Sequence, residues 1–278
     1  MTPRVSVVVP AYKNADYLQQ TLDSILAQDY QDYELVIADH SSADGTETLL
    51  AQYAEHPRVR VLSPTPPGGG AKANWDRVTQ AARGELLKLV CGDDLIAPDA
   101  LSKQVAALDA HPSAVFVACK RDLIDAQGKV VIGARGLGAL NGLVSGRDAV
   151  RASVMAGTNL FGEPGCVMFR RELLPASGWD NSHPYLIDQA SYTSVMLQGD
   201  MVALRESLAS FRINAGQWSV RLMHEQANQA IAFHNALAAA DPTLLPGLTL
   251  RVGNLKARLM AHARRLTYVW LGRRMQAG

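Results

Sequence analysis

The sequence predicts an α/β fold: a mostly parallel wound sheet with helices on both faces and a helical C-terminal extension. Three observations carry this. Short β-branched runs alternate with amphipathic helical patterns over the first 120 residues, as a right-handed wound sheet requires. One apolar run, Leu86-Leu87-Lys88-Leu89-Val90, ends in Cys91-Gly92 and then two adjacent carboxylates, Asp93-Asp94. Two long helical patterns close the chain. With 278 residues, 48% of them hydrophobic, the chain can fill one large domain, or one domain with an appendage.

The elements follow in order. Arg4 to Val9 is short and β-branched, a buried strand. Pro10-Ala11-Tyr12-Lys13-Asn14 is the loop after it, and Asn14 suits a helix cap. Leu18, Leu22, Ile25 and Leu26 recur at helical spacing. Tyr33 to Ala38 is the second strand and Asp39 ends it. Ser41 to Thr46 is a turn, with Ser42 or Asp44 read as the cap of the next helix. Val59–Leu62 is a third strand, Pro64–Gly70 a loop and Ala71–Ala82 a helix, followed by the Leu86 strand. Beyond Pro98 the pattern predicts a helix over 99–110, a strand over 114–119 and a strand–turn–strand over 123–132, turning at 125–128. Later come a strand over 166–169, a helix over 188–197, two short strands at 202–204 and 209–213, and helices over 220–240 and 254–270.

The net charge of +1 gives no case for a nucleic-acid partner, but the charge is uneven. From Gly247 onward there are seven Lys or Arg and no Asp or Glu. The remainder carries 20 basic against 26 acidic residues, a net −6. Cys91, Cys119 and Cys166 are far apart and lack metal spacing, so a reducing, cytoplasmic setting is expected. No leader-like segment and no membrane-spanning stretch is apparent. In the tail, Leu255, Leu259, Leu266, Val269 and Trp270 fall near one helical face among basic residues. Two readings stay open: a peripheral helix on the inner face of an anionic membrane, or a helix packed on the body or on a second subunit.

Chemistry concentrates at the predicted sheet edge. A strand interior cannot hold unpaired carboxylates, so Asp93 and Asp94 belong at its carboxyl end, facing water, a cation or a ligand. Hard cations such as Mg²⁺ bind through one or two carboxylates plus substrate phosphates, which suits such a pair. Asp39 ends strand two on the same edge and suits a nucleotide's base or ribose. Gly68-Gly69-Gly70-Ala71-Lys72-Ala73 lacks the Gly-Lys-Ser/Thr ending of a P-loop, and 136–142 lacks the dinucleotide glycine spacing. These departures argue against a P-loop ATPase and against a nicotinamide or flavin enzyme.

Taken in order, three segments resemble the family 2 inverting glycosyltransferases of the GT-A fold. They are Val5–Asn14, Asp39-His40-Ser41-Ser42-Ala43-Asp44-Gly45-Thr46, and Cys91-Gly92-Asp93-Asp94-Leu95-Ile96-Ala97-Pro98-Asp99-Ala100-Leu101. The resemblance is strong over about the first 120 residues, and visible again at Asp188 and at Phe211–Asn214. It implies a metal-dependent transfer, with inversion, from a nucleoside-diphosphate sugar, usually a UDP-sugar, to a saccharide or lipid-linked acceptor. Pro10, Ala11, Tyr12 and Asn14 would line the nucleotide, Asp39 would bind its base, and Gly70 and Asn74 would approach nucleotide or sugar. Asp93 would hold Mg²⁺ or Mn²⁺, with Asp94 beside it facing the donor sugar. Asp188 would be the catalytic base, with Glu163 competing for that role. Residues 1–120 would form the donor half, 121–219 the acceptor half and 220–278 the extension.

The sequence also departs from the family pattern. Cys91 takes the first acidic place of the metal motif, His40 replaces a frequent Asp, Asn214 stands where many relatives carry His, and Gln189 follows Asp188. Of Trp179, Tyr185, Tyr192 and Trp218, only Trp218 is taken as a sugar-stacking candidate. A sugar-nucleotide pyrophosphorylase-like enzyme and a non-catalytic nucleotide-binding module remain alternatives.

Overall fold

A computed structural model describes residues 2–213 and 225–271. Asn214 and Trp218, singled out above, lie outside the described residues.

Strand β1 (Val5–Ala11) is buried along its whole length, as its valine-rich sequence dictates. It pairs in parallel with β2 (Tyr33–Asp39) on one side and β4 (Leu86–Leu89) on the other. Strand β3 (Val59–Val61) joins β2 in parallel. Helices α1 (Ala15–Leu26), α2 (Thr46–Ala51) and α3 (Gly70–Ala81) connect them. The chain runs β1 to β2 to β3 in one direction and then returns past β1 to β4. A switch point therefore lies between β1 and β4, and their carboxyl ends open a crevice there.

Past β4 the sheet becomes mixed rather than mostly parallel. The two-residue β5 (Leu95–Ile96) leads into α4 (Ala100–Ala110) and then β6 (Ala114–Ile124). Next come β7 (Val130–Arg135), β8 (Gly142–Ser145), α5 (Gly146–Ala156) and β9 (Val167–Arg170). Helix α6 (Ile187–Met196) and strand β10 (Asp200–Arg212) follow. Strand β9 inserts antiparallel between β4 and β6, and β10 lies parallel to β6. The two short strands expected at 202–204 and 209–213 are one strand: register shifts near Ser207 mask its alternation but do not break it. Helix α5, not read from the sequence, is amphipathic but begins directly at the end of β8.

Two caps differ from expectation. The Asn14 side chain turns back to accept the Tyr12 N–H (2.8 Å) instead of capping α1. Ser42 does not cap α2; its hydroxyl binds Asp39 and accepts the Lys13 N–H (2.8 Å). Asp44 does accept from Thr46 at the start of α2.

The described part of the extension is α7 (Gln226–Ala240) and α8 (Gly247–Leu271). Helix α8 lies against α5 through Gly253, Ala257 and Ala261. A Cβ added at Gly253 would meet the Val154 carbonyl at 2.7 Å, and the two alanines are buried. Leu255, Leu259 and Leu266 point away from this seam and are exposed.

Candidate active site

The crevice is a cleft of about 1170 Å³. Its near wall is the end of β1 and the loop after it, with Pro10, Tyr12 and Asn14, together with His40, Gly70, Asn74, Cys91 and Asp93. Its far wall carries Arg121, Asn159, Glu163, Tyr185 and Asp188, and residues of α7 and α8. Of the residues named from the sequence, the cleft thus gathers Pro10, Tyr12, Asn14, Gly70, Asn74, Asp93, Glu163 and Asp188. Ala11, Asp39 and Asp94 stand just behind its surface.

In the loops after β1 and β2, backbone strain is concentrated. Lys13, Ser41 and Ala43 adopt φ of 53°, 53° and 55°, a region that costs a side-chain-bearing residue energy. Both Asp39 oxygens are engaged by Ser42, through its hydroxyl and its N–H (3.0 Å). Asn74 is a lock rather than a free ligand-binding amide. Its Nδ2 donates to the carbonyls of Ala11 (3.1 Å) and Ala38 (3.0 Å), and its Oδ1 accepts from Thr65 (2.6 Å). It ties the ends of β1 and β2 together under the crevice. Tyr12 is half exposed at the mouth, its ring 5.7 Å from that of His40.

The acidic pair is held by Arg212, whose role the sequence reading missed. A lone Arg in the apolar stretch Phe211-Arg212-Ile213 was the available signal, since a buried cation demands partners. Arg212 is fully buried. Its backbone N–H donates to Asp94 Oδ1 (3.0 Å) and its Nε to the Asp93 carbonyl (2.9 Å). Its remaining nitrogens reach the carbonyls of Asp125 and Ala126 and the side chain of Gln20. Burial, then the neighbouring Asp93 charge, drives Asp94 well above the usual carboxylate range. Cys91 is pushed up too, by burial and then by Asp94, Asp93, Asp188 and Glu163. Negative charge from four carboxylates therefore converges on this corner.

That convergence fits a divalent cation, which would relieve the repulsion between Asp93 and Asp94. Among the described residues no group of three His, Cys, Asp or Glu forms a complete metal cage. The fit is instead to an ion held by Asp93 and completed by substrate oxygens. A protonated Cys91 adds no hard ligand.

The two candidate bases differ. Glu163 is ion-paired with Arg121, through Nε and through NH2 (2.9 Å). Asp188 accepts from the Asn159 amide (3.1 Å) and the Gln189 N–H (2.7 Å), and pairs with no Lys or Arg among the described residues. Burial pushes Asp188 up to about 7, and the Glu163 charge adds to the rise. Glu163 sits at the edge of a turn, Pro164–Cys166, braced from below by fully buried Lys88. Lys88 donates to the Gly165 carbonyl (2.6 Å) and to Gln104 (2.8 Å), and burial lowers it to about 8.

Residues 6–176 match glycosyl transferase family 2. The chain belongs to that family. An uncharacterized protein of Mycobacterium tuberculosis is 30% identical over 81% of the chain and 72% of its own length. The putative glycosyltransferase EpsE of Bacillus subtilis is 36% identical over 39% of the chain, which spans only 40% of EpsE. Among solved structures, Staphylococcus aureus TarS 1-349 in complex with UDP-GlcNAc aligns with a TM-score of 0.67 at 19% identity. That alignment covers 85% of this chain and 66% of TarS 1-349. The Pyrobaculum calidifontis mannosyltransferase PcManGT, in complex with GDP-Man and Mn²⁺, aligns at 0.59 with 21% identity, covering 98% and 81%. The structural likeness establishes the GT-A fold for this family 2 glycosyltransferase. No described helix is long and apolar enough to cross a membrane.

Proposed function

We propose that this glycosyltransferase moves a sugar from a nucleoside-diphosphate donor, UDP by preference, to a hydroxyl of a saccharide or lipid-linked acceptor, inverting the anomeric centre. One observation carries the reading. A single cleft gathers Asp93 and, near it, Asp188, a carboxylate raised to about 7 and held by neutral amide donors among the described residues. Neighbours whose structures contain UDP-GlcNAc, or GDP-Man with Mn²⁺, support a nucleotide-sugar donor and a divalent ion.

The geometry supports the following division of labour. Tyr12, Asn14 and His40 frame the nucleotide end, with Asp39 and Asn74 stiffening the loops behind them. Asp93, positioned by Arg212 and flanked by Asp94, would hold Mg²⁺ or Mn²⁺. Held there, such an ion would supply Lewis-acid stabilisation of the charge on the departing diphosphate. Asp188 takes the proton from the attacking hydroxyl, and its raised pKa matches that task near neutral pH. Glu163 is tied up in its ion pair with Arg121, and its charge adds to the rise of Asp188. One displacement from the face opposite the leaving group inverts the centre. Residues 1–120 serve the donor, 121–219 the acceptor. Family membership favours this reading over a nucleotidyltransferase or a non-catalytic module.

The extension supports a membrane-facing acceptor side. Four exposed leucines, Leu248 (77%), Leu255 (58%), Leu259 (60%) and Leu266 (72%), follow a seven–four–seven spacing that aligns them on one face of α8. Arg251, Lys256 and Arg258 flank them, and no acidic residue follows Gly247. Charge complementarity selects an anionic bilayer surface, since a second copy presenting the same basic face is repelled.

The deciding experiment is a thermal-shift series with UDP-GlcNAc and GDP-mannose, with and without MnCl₂, followed by assay of nucleoside diphosphate release. A saturating donor should raise Tm by about 5 °C or more. Asp93→Ala should abolish both the Mn²⁺-dependent part of that shift and turnover. A shift and turnover unchanged in Asp93→Ala would defeat the metal assignment, and pyrophosphate release would revive the nucleotidyltransferase.

A further inference from the structure

We infer that Arg264 is the subsite for an anionic group, phosphate or carboxylate, carried by the acceptor. The inference rests on the proposed role of Asp188 and adds the chemical class of the acceptor.

Arg264 lies on α8, beyond the residues matched to the family, and lines the far end of the cleft. Its side chain is half-buried. One terminal nitrogen donates to the Tyr185 hydroxyl and to Gln226 Oε1 (2.9 Å), and the other to Thr158 Oγ1 (3.0 Å). All three partners are neutral oxygens. Arg4, Arg60, Arg121, Arg147, Arg151 and Arg170 each pair with a carboxylate; Arg264 does not, among the described residues, nor do Arg58, Arg77, Arg171 and Arg205, but Arg264 shares its holding segments with Asp188. The segments outside the described residues, Met1, 214–224 and 272–278, contain no Asp or Glu that could supply one.

The protein thus orients a guanidinium toward a cleft and leaves its charge uncompensated. Arg stays charged at any working pH, and its planar fork matches phosphate or carboxylate oxygens. The position is also specific. Thr158, which holds Arg264, is followed by Asn159, which holds Asp188 at 3.1 Å. Tyr185 precedes Asp188 by three residues, in the turn that runs into α6. The cation and the proposed base are therefore set by the same two short segments. An acceptor whose anion sits on Arg264 is held with a nearby hydroxyl at Asp188. The acidic corner at Asp93 and Asp94 repels the reversed orientation. A lipid-linked sugar phosphate and an acidic sugar share this chemistry.

The test is calorimetric titration of the full chain with GlcNAc 1-phosphate, glucuronate, GlcNAc and inorganic phosphate, with and without saturating UDP and MnCl₂. The two anionic sugars should bind at least 10-fold more tightly than GlcNAc. Arg264→Gln should erase that preference, Arg264→Lys should restore part of it, and Tyr185→Phe, which keeps the charge, should weaken it by a few-fold. Tighter binding of GlcNAc 1-phosphate than glucuronate assigns a phosphate acceptor, the reverse an acidic sugar, and each supports the subsite. Inorganic phosphate binding as well as GlcNAc 1-phosphate would overturn it, as would an unaltered preference in Arg264→Gln. Loss of UDP-GlcNAc affinity in Arg264→Gln would assign the residue to the donor and also overturn it. An Arg264-dependent preference alongside full turnover in Asp188→Asn would instead refute the base and leave the anion subsite standing.

Discussion

At the scale of single residues, the cleft assigns different work to two carboxylates through their partners. Arg121 compensates Glu163, while among the described residues Asp188 is held by amide donors. Turnover should therefore rise with pH through about 7, as Asp188 loses its proton, and Asp188→Asn should lower kcat by about 10²–10⁴-fold with donor affinity nearly kept. The same shift has a consequence for stability. A carboxyl raised from its ordinary range to about 7 binds its proton more tightly in the folded state. The stability it contributes is complete below pH ~4 and is lost as pH rises through about 7. Asp188→Asn should thus match the parent Tm near pH 4 and exceed it by at least about 2 °C at pH 8. Equal Tm values at both pH values would remove the buried-carboxylate account. Asp93 and Asp188 could be named as candidates from the sequence because motif and position single them out, and both line the cleft. Arg264 and Arg212 could not be given roles, because a lone arginine acquires a meaning only from what surrounds it.

At the scale of elements, α8 has two unlike faces. The inner face is built from small residues and sits close to α5. Gly157, at φ +67°, faces the α8 backbone so tightly that a Cβ would meet the Ala257 nitrogen at 2.4 Å. Gly157→Ala should cost about 2–4 kcal/mol, read as a lower urea midpoint, because it combines backbone strain with a steric wedge. The outer face should bind vesicles containing phosphatidylglycerol but not pure phosphatidylcholine, and 0.5 M salt should weaken that binding. Changing Leu255, Leu259 and Leu266 together to Ser should reduce it at least 10-fold. No binding by the parent chain, or a dimer that the triple change dissociates, would move this face to a protein partner. Helical periodicity in the sequence identified the leucines and the basic bias. It did not identify which face was covered, because Gly253, Ala257 and Ala261 carry little hydropathy signal yet permit the closest packing.

At the scale of the molecule, the parallel β3–β2–β1–β4 order sets the crevice, and the antiparallel insertion of β9 brings the far wall opposite it. The alternation of strands and helices, the carboxylates at the strand end and the basic tail were all written in local patterns. They were enough for the fold class and for one end of the cleft. Local pattern could not reveal that β10 is continuous through its bulges, or that Arg212 grips the acidic motif from 118 positions away in the case of Asp94. Nor could it bring Arg264 beside the segments that hold Asp188. Hydropathy and strand-end chemistry report each residue's own preference. The raised carboxyl of Asp188, the caged Arg212 and the uncompensated Arg264 guanidinium arise from burial and long-range partners, which exist only once the chain has closed on itself.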